Sequence, residues 1–428
     1  MKTVSSEIFS GSAVFFCALE TYDRLYQRLR GGTSYMKILH TADLHIGKSL
    51  LNESLLDQQK YVLEQLTQFI DIEKPDVLIL AGDLFDHARP SAEAIRVLHN
   101  FLDEVINTYR TKIFAISGNH DGAEFLNFGS SFMQGMHMVT QADQMFTPFE
   151  IADEAGNVQF FLLPFLTPAE VRSYFESITP ADEMPEIKSF DQAMEVVVGK
   201  INEMKDPKAR HVIVAHGLVT SIGEMTPEQI IEAQDEGERL ISIGGTECID
   251  IRHLSPFHYV ALGHLHGAHK IKVDHVRYAG SIYKYSKSES RQKKSFTVVN
   301  LQSDGTVSIE LRPFQLKRDV REIQLSPEQL LPALRSDDYV FVKVAIEVIT
   351  AELTQKVKAI FPNALQIQRV IDSFDEVGQA ELASFYEGKD TLDHLREFFQ
   401  STKEKPLAKD QEDLFVSLWE NVTGGVRG

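Results

Sequence analysis

Apolar positions fall into short, uninterrupted runs that each close on a polar cluster: 38–42, 77–81, 113–116, 160–163, 212–215 and 259–262. Runs of this length with such flanks predict strands buried on both faces. Between the early runs, apolar residues recur at helical spacing over 55–70 and 91–109. Residues 166–206 read as helical and irregular, punctuated by Pro168, Pro180, Pro185 and Pro207. Strand–helix alternation predicts a layered α/β domain over 36–315. From Gln315 the pattern changes. Residues 320–324, 339–348 and 364–371 read as strands, with helices near 326–335 and 350–360, so 316–375 is expected to be a small second domain. Residues 388–402 and 408–422 read as helices joined by Lys403-Glu404-Lys405-Pro406, making 376–428 a helical C-terminal region.

Residues 1–35 do not read as the start of a domain. Their apolar stretch, Ser12 to Leu19, is short and lacks the basic start of a secretory signal. Met36 opens a strand, and the expectation is that it is the natural start, with 1–35 a loose or non-native extension.

Composition narrows the function classes. With 43% hydrophobic and 25% charged residues the chain is globular rather than disordered. Cys17 and Cys248 are too few for a disulfide framework or a cysteine zinc cluster. No apolar run reaches the roughly 18 residues needed to span a bilayer, and a cytoplasmic protein is expected. The formal charge of −19 argues against holding polyanions by bulk electrostatics. Within 251–300, however, Arg252, Lys270, Lys272, Arg277, Lys284, Lys287, Arg291, Lys293 and Lys294 face only Asp274 and Glu289.

The chemistry lies where the strands end. Asp43-Leu44-His45, Gly82-Asp83-Leu84-Phe85-Asp86, Gly118-Asn119-His120-Asp121, His216-Gly217 and Gly263-His264-Leu265-His266-Gly267 each follow an apolar run, as does Tyr278-Ala279-Gly280-Ser281. Ligands of open α/β sheets gather outside the carboxyl ends of the strands, so these clusters can converge. Asp43, His45, Asp83, Asn119, His216, His264 and His266 supply nitrogen and oxygen donors and no thiolate. They are too many for one tetrahedral zinc and suit two divalent ions sharing a carboxylate. Mixed imidazole and carboxylate donors favour Mn²⁺ or Fe²⁺ over Mg²⁺. Two such ions form a clamp for phosphoryl chemistry. On an extended segment, side chains at i and i+2 share a face, so His264 and His266 are expected to serve one site, as are Asp43 and His45. His120 adjoins a ligand and suits a general acid. The remaining histidines, His40 among them, read as ordinary surface or core residues.

These motifs resemble the calcineurin-like metallophosphoesterase family. Residues 36–47, Gly82-Asp83-Leu84-Phe85-Asp86 and Ser117-Gly118-Asn119-His120-Asp121 are similar to the SbcD nuclease subunits within it. So are Gly244-Gly245-Thr246-Glu247-Cys248-Ile249-Asp250 and the stretch from Phe257 to His266. The resemblance implies a layered β-sandwich flanked by helices, a small α+β capping domain and C-terminal helices. It implies one ion on Asp43, His45, Asp83 and His266, and another on Asp83, Asn119, His216 and His264, most readily Mn²⁺. His120 would face the scissile phosphate, with Asp121 orienting it. Asp86 departs from relatives that carry a second functional histidine there; His87 follows one residue later, and its role stays open.

The resemblance also implies a DNA nuclease of repair and recombination: a 3′–5′ exonuclease on double-stranded ends and an endonuclease on single strands and hairpins. It would act as a pair of nuclease subunits with an SbcC-like SMC-family ATPase. Lys270, Lys272, Arg277, Lys284, Lys287, Arg291, Lys293 and Lys294 would then form a phosphate-tracking rim. Leu414, Phe415, Leu418 and Trp419 fall on one helical face and would dock the partner. Two other readings stay open, a metallophosphodiesterase for small substrates and an inactive scaffold for a partner ATPase. The basic stretch and the extra C-terminal segments disfavour the first, and the complete donor set disfavours the second.

Overall fold

The computed structural model describes residues 35–130, 133–221, 248–346 and 348–370, together with Lys409, Gln411 and Glu412, which are helical. Most of the expected N-terminal extension, Gly244 to Glu247, and the docking residues Leu414, Phe415, Leu418 and Trp419 lie outside the described residues.

The chain opens with β1 (Tyr35–Thr41), the short pair β2 (Ser49–Leu50) and β3 (Glu53–Ser54), and helix Leu56–Glu73. β4 (Val77–Ala81), helix Ala92–Asp103, β5 (Lys112–Ile116) and β6 (Met136–Val139) follow. Next come β7 (Phe149–Asp153), β8 (Gly156–Leu163), helices Pro168–Ile178 and Phe190–Met204, β9 (Arg210–His216) and β10 (Val219–Thr220). β11 (Ile249–Asp250), β12 (Tyr259–Gly263), β13 (His269–Ile271), β14 (Val273–Tyr278), β15 (Ser295–Gln302) and β16 (Val307–Pro313) complete the main sheets. A smaller sheet holds β17 (Val320–Leu325), β18 (Tyr339–Ala345) and β19 (Ala364–Val370), with helix Ala351–Ile360 before the last strand.

One six-stranded sheet runs β16-β15-β1-β4-β5-β6 and the other β13-β14-β12-β9-β8-β7. In the first sheet β1, β4, β5 and β6 run parallel while β15 is antiparallel to both β1 and β16; in the second β14, β12, β9 and β8 run parallel and the edge strands β13 and β7 antiparallel. Alternation along each central strand builds the layers. Ile38, Val77, Ile79, Phe114 and Ile116 face the second sheet, where they meet Phe160, Val212 and Tyr259 in one core. Leu39, Leu78, Leu80, Ile113 and Ala115 face the other way, onto Val62, Leu66 and Ile70 of helix Leu56–Glu73 and Leu98 of the next helix. The result is the expected layered β-sandwich with helices on its outer faces.

His40 occupies a sheet-facing position and is fully buried. Its Nδ1 lies 2.8 Å from the Tyr259 hydroxyl, and burial pushes its pKa down to about 3. It is a core histidine, as the sequence suggested.

Helix boundaries follow local chemistry. Ser91 Oγ accepts from the Ala94 N–H at 3.1 Å and caps its helix. That helix ends at Asp103 and widens into a single π turn through Thr108, where an uninterrupted helix to 109 is expected from periodicity. The helix expected near 326–335 is instead two short 3₁₀ turns, Pro327–Gln329 and Pro332–Leu334. Each opens on a proline, and the second proline has no N–H with which to continue the first turn. By compactness the chain divides into one unit ending at Lys343 and resuming over Thr350–Gln368, and another holding Val344–Ile349 and the residues from Arg369. No helix among the described residues is long and apolar enough to cross a membrane.

The two sheets meet tightly where β12 ends against β4. A Cβ placed on Gly263 would lie 1.9 Å from the Ala81 carbonyl oxygen, so only glycine fits. By contrast, Gly199, inside helix Phe190–Met204, has open space around it. Gly263→Ala should therefore lower stability by about 1–3 kcal/mol through overpacking, while Gly199→Ala should raise it by about 0.5–1 kcal/mol through helix propensity. Urea unfolding of the two variants checks this; equal midpoints would show that the sheets do not constrain that contact.

Candidate metal centre

Four of the expected donor residues sit in backbone conformations that few L-residues adopt. Asp43, His45, Asp83 and His264 have φ of 50°, 42°, 51° and 109°. Such angles cost of order 1–3 kcal/mol each and persist where the surroundings dictate them. Here the surroundings are neighbouring turns. Asp43 N–H donates to Gly82 O at 3.1 Å, His45 N–H to Asp83 O at 2.9 Å and Ile46 N–H to Leu84 O at 3.0 Å. The β1–β4 ladder thus continues as two interlocked loops. The pairs Asp43/His45 and His264/His266 do converge, but left-handed turns aim them, not the extended i, i+2 geometry expected from the sequence.

Two groups of donor atoms result. In one, His45 Nε2 and His266 Nε2 stand 3.1 Å apart, with Asp43 alongside. In the other, His216 Nε2 lies 2.9 Å from Asn119 Oδ1 and 3.3 Å from Asp83 Oδ2, and His264 Nδ1 lies 3.2 Å from Asn119 Oδ1. Asp83 Oδ2 lies between them, 3.6 Å from His45 Nε2. It is buried and accepts no well-formed hydrogen bond. Donors about 2.1 Å from a six-coordinate ion stand about 3 Å from one another. The spacings, the convergence of ring nitrogens and the orphaned Asp83 oxygen all fit two divalent ions sharing Asp83. The structure brings all seven donor residues expected from the sequence to this edge; Asp43 also accepts the His264 N–H at 2.9 Å, tying β1 to β12.

Several rings are held from behind. His216 Nδ1 donates to Ala81 O at 2.8 Å, and His266 Nδ1 donates to Glu289 Oε1 at 3.1 Å. His45 Nδ1 faces Asp86 Oδ1 at 3.5 Å, and Lys48 Nζ donates to that same oxygen at 2.7 Å. These contacts fix tautomers with Nε2 turned inward. Burial pushes the His45 pKa down to about 4, leaving a neutral ring whose lone pair can bind a cation. Burial would do the same to His216, but the Asp83 carboxylate outweighs it and lifts His216 to about 10. Burial likewise opposes the charge on Asp83, and the imidazoles around it hold its pKa well below the usual carboxylate range.

His120 is half-buried, and its ring lies edge-on to His45 with centroids 4.7 Å apart. Its N–H donates to Asp83 Oδ1 at 2.8 Å and its Nδ1 to Asp86 O at 3.1 Å. The backbone of Asp86 therefore orients this ring. Asp121, expected to do so, spends its carboxylate on backbone N–H groups: Gly118 at 2.9 Å, Phe85 at 3.0 Å and Leu84 at 3.1 Å. It pins the two ligand loops together. Burial, then the neighbouring Asp83, lifts its pKa to about 7. His87 is exposed, 3.2 Å from Asp86 Oδ2.

The basic stretch separates into two sets. Lys284 and Lys294 are buried: the first bonds Ser290 O, Val320 O and Asp319, the second Glu289, His266 O and Ser281 Oγ. Arg277 is buried as well. Lys284 and Lys294 tie loops of the fold together, and none of the three forms part of an exposed rim, which corrects the expectation for them. Lys270, Lys272, Arg291 and Lys293 are exposed, although Lys270 pairs with Asp274, and half-buried Lys287 pairs with Glu322.

Two bracing residues escaped the sequence reading. Gln59 is buried and donates to Leu44 O and His45 O at 3.2 and 2.7 Å. Its one signal is a polar residue within the apolar stripe of its helix. Glu289 lay hidden inside a basic run.

A calcineurin-like phosphoesterase family model matches residues 36–268. The SbcD subunit of the nuclease SbcCD from Staphylococcus epidermidis is 30% identical over 390 residues, covering 90% of this chain and 98% of that protein. Among solved structures, the protein TT1561 of Thermus thermophilus aligns with a TM-score of 0.36 at 12% identity, covering 65% of this chain and 99% of that one. A dimetal phosphatase from Danio rerio aligns with a TM-score of 0.38 at 13% identity, covering 66% and 97%.

With a pKa near 10, His216 carries a proton at pH 7 in the metal-free protein, on the nitrogen that an ion would need. Ion binding should then release about one proton per chain, and affinity should rise with pH until that proton is lost. The same raised pKa stabilises the metal-free fold below pH about 6.5, a contribution lost as pH climbs through 10. Titration calorimetry at pH 7.5 in two buffers of different ionisation enthalpy measures the release; identical heats would contradict it.

Proposed function

The chain belongs to the calcineurin-like phosphoesterase family and is a metal-dependent phosphodiester hydrolase, and from that premise we propose that it is the DNA-cutting subunit of an SbcCD-like complex. The observation carrying this reading is the gathering of seven donor side chains at one edge, with the orphaned Asp83 oxygen between His45 and His216. Similarity along nearly the whole length of an SbcD nuclease subunit supports the choice of DNA over small phosphoesters.

In this reading Asp43, His45, Asp83 and His266 hold one ion, and Asp83, Asn119, His216 and His264 the other. Mn²⁺ matches the mixed imidazole–carboxylate set. When bound, two such ions supply Lewis acidity toward phosphoryl oxygens and make an attacking water more acidic. The protein does the rest. His120, its Nδ1 committed to Asp86 O, presents Nε2 to the scissile phosphate and donates a proton to the leaving oxygen. Asp121 keeps the loops of Asp83 and Asn119 in register. The exposed Lys270, Lys272, Arg291 and Lys293 meet DNA phosphates in this reading. The sheet of β17, β18 and β19 serves as a cap that positions DNA. The complex works in the cytoplasm, cutting double-stranded ends 3′–5′ and opening hairpins, as a pair of nuclease subunits with an SbcC-like ATPase held through Leu414, Phe415, Leu418 and Trp419. That docking assignment rests on the sequence pattern.

The test is hydrolysis of an end-labelled linear duplex and a hairpin by the full chain with Mn²⁺. Wild type should shorten 3′ ends and nick the hairpin, and chelator should abolish both. His120→Ala should lose about 10²–10⁴-fold in rate with metal content unchanged. Cleavage of bis-p-nitrophenyl phosphate with no cleavage of DNA would replace this reading with a small-substrate enzyme. No metal uptake and no cleavage would leave a scaffold.

A further inference from the structure

Behind His266 lies a buried ion pair that neither the ligand set nor the acid–base chemistry requires. Glu289 is fully buried. Its Oε1 accepts the His266 Nδ1–H at 3.1 Å and the Tyr285 N–H at 3.0 Å. Its Oε2 accepts from Ser281 Oγ at 3.1 Å and from the Lys294 ammonium. Lys294, also buried, donates to the backbone carbonyl of His266 at 2.9 Å. One ligand residue is thus gripped at both ends, ring by the carboxylate and carbonyl by the ammonium.

Apolar side chains of similar volume would close this loop at lower desolvation cost than a buried charge pair. The pair therefore calls for an account beyond stability. His216 is braced from behind by a neutral carbonyl. Asp86 stands further from His45, at 3.5 Å. His266, by contrast, has a carboxylate at hydrogen-bonding distance behind its ring.

The geometry points to Glu289 as a positioning residue that makes His266 a stronger ligand for the ion of Asp43 and His45, with Lys294 as its counter-charge. A carboxylate at Nδ1 fixes the tautomer with Nε2 unprotonated and adds electron density to that nitrogen. The effect should be local, because Glu289 engages the His266 ring whereas the His216 ring is held by Ala81 O. The inference rests on the two-ion reading above.

The test measures Mn²⁺ binding to the metal-free full chain by titration calorimetry, with thermal unfolding of the same metal-free samples. Wild type should bind two ions. Glu289→Gln should weaken one of them about 10–100-fold and leave the other within about threefold, while lowering the unfolding temperature because Lys294 loses its partner. The double variant Glu289→Gln, Lys294→Met removes that unpaired ammonium. Its unfolding temperature should return toward wild type while the one ion stays weak. If affinity recovers together with stability, or both ions weaken equally, Glu289 only holds the loop and the inference is overturned. If wild type binds two ions and Glu289→Gln changes neither, this inference alone fails. If wild type does not bind two ions, the two-ion reading fails and takes this one with it.

Discussion

Everything at the site depends on how closely two sheet ends can approach. The Ala81 carbonyl closes β4, receives the His216 ring N–H across the sandwich, and leaves no room for a side chain at Gly263. That contact sets the distance between β4, which leads to Asp83, and β9 and β12, which lead to His216 and His264. Were the sheets held apart by even one methyl group, Asp83 could not stand within reach of imidazoles from both sides. The apolar layers supply the force, but glycine at this point sets the spacing.

Much of this was legible because each strand is an unbroken apolar run and each donor follows one directly. Asp43, Asp83, Asn119, His216 and His264 could be placed at one edge from chain order alone. What lay behind them was not legible. Glu289 is 23 residues from the ring it holds and sits among lysines, so periodicity treats it as one more surface charge. Lys284 and Lys294 read as surface for the same reason, and burial inverts their meaning. Asp121 was mistaken because adjacency suggested His120 as its partner, whereas its carboxylate reaches across to the loop of Leu84 and Phe85. Pro327 and Pro332 each open a turn that cannot join its neighbour, so the expected helix splits into two 3₁₀ turns.

Charge shows a similar reversal. The excess of acid over base in the whole chain is hostile to a polyanion, yet several charges at the site are paired off within the fold. Asp83 is offset by imidazoles, Glu289 by Lys294, and Asp319 by Lys284. Net charge describes the outer surface; the chemistry is governed by a handful of groups screened from it.

The left-handed turns at Asp43, His45, Asp83 and His264 also bear on how such a chain can change over generations. Glycine at any of these positions would relax the backbone and remove a donor in the same stroke. Selection for a sturdier fold and selection for a working centre therefore pull in opposite directions at these positions, and a lineage freed from the second would have an easy downhill path away from it.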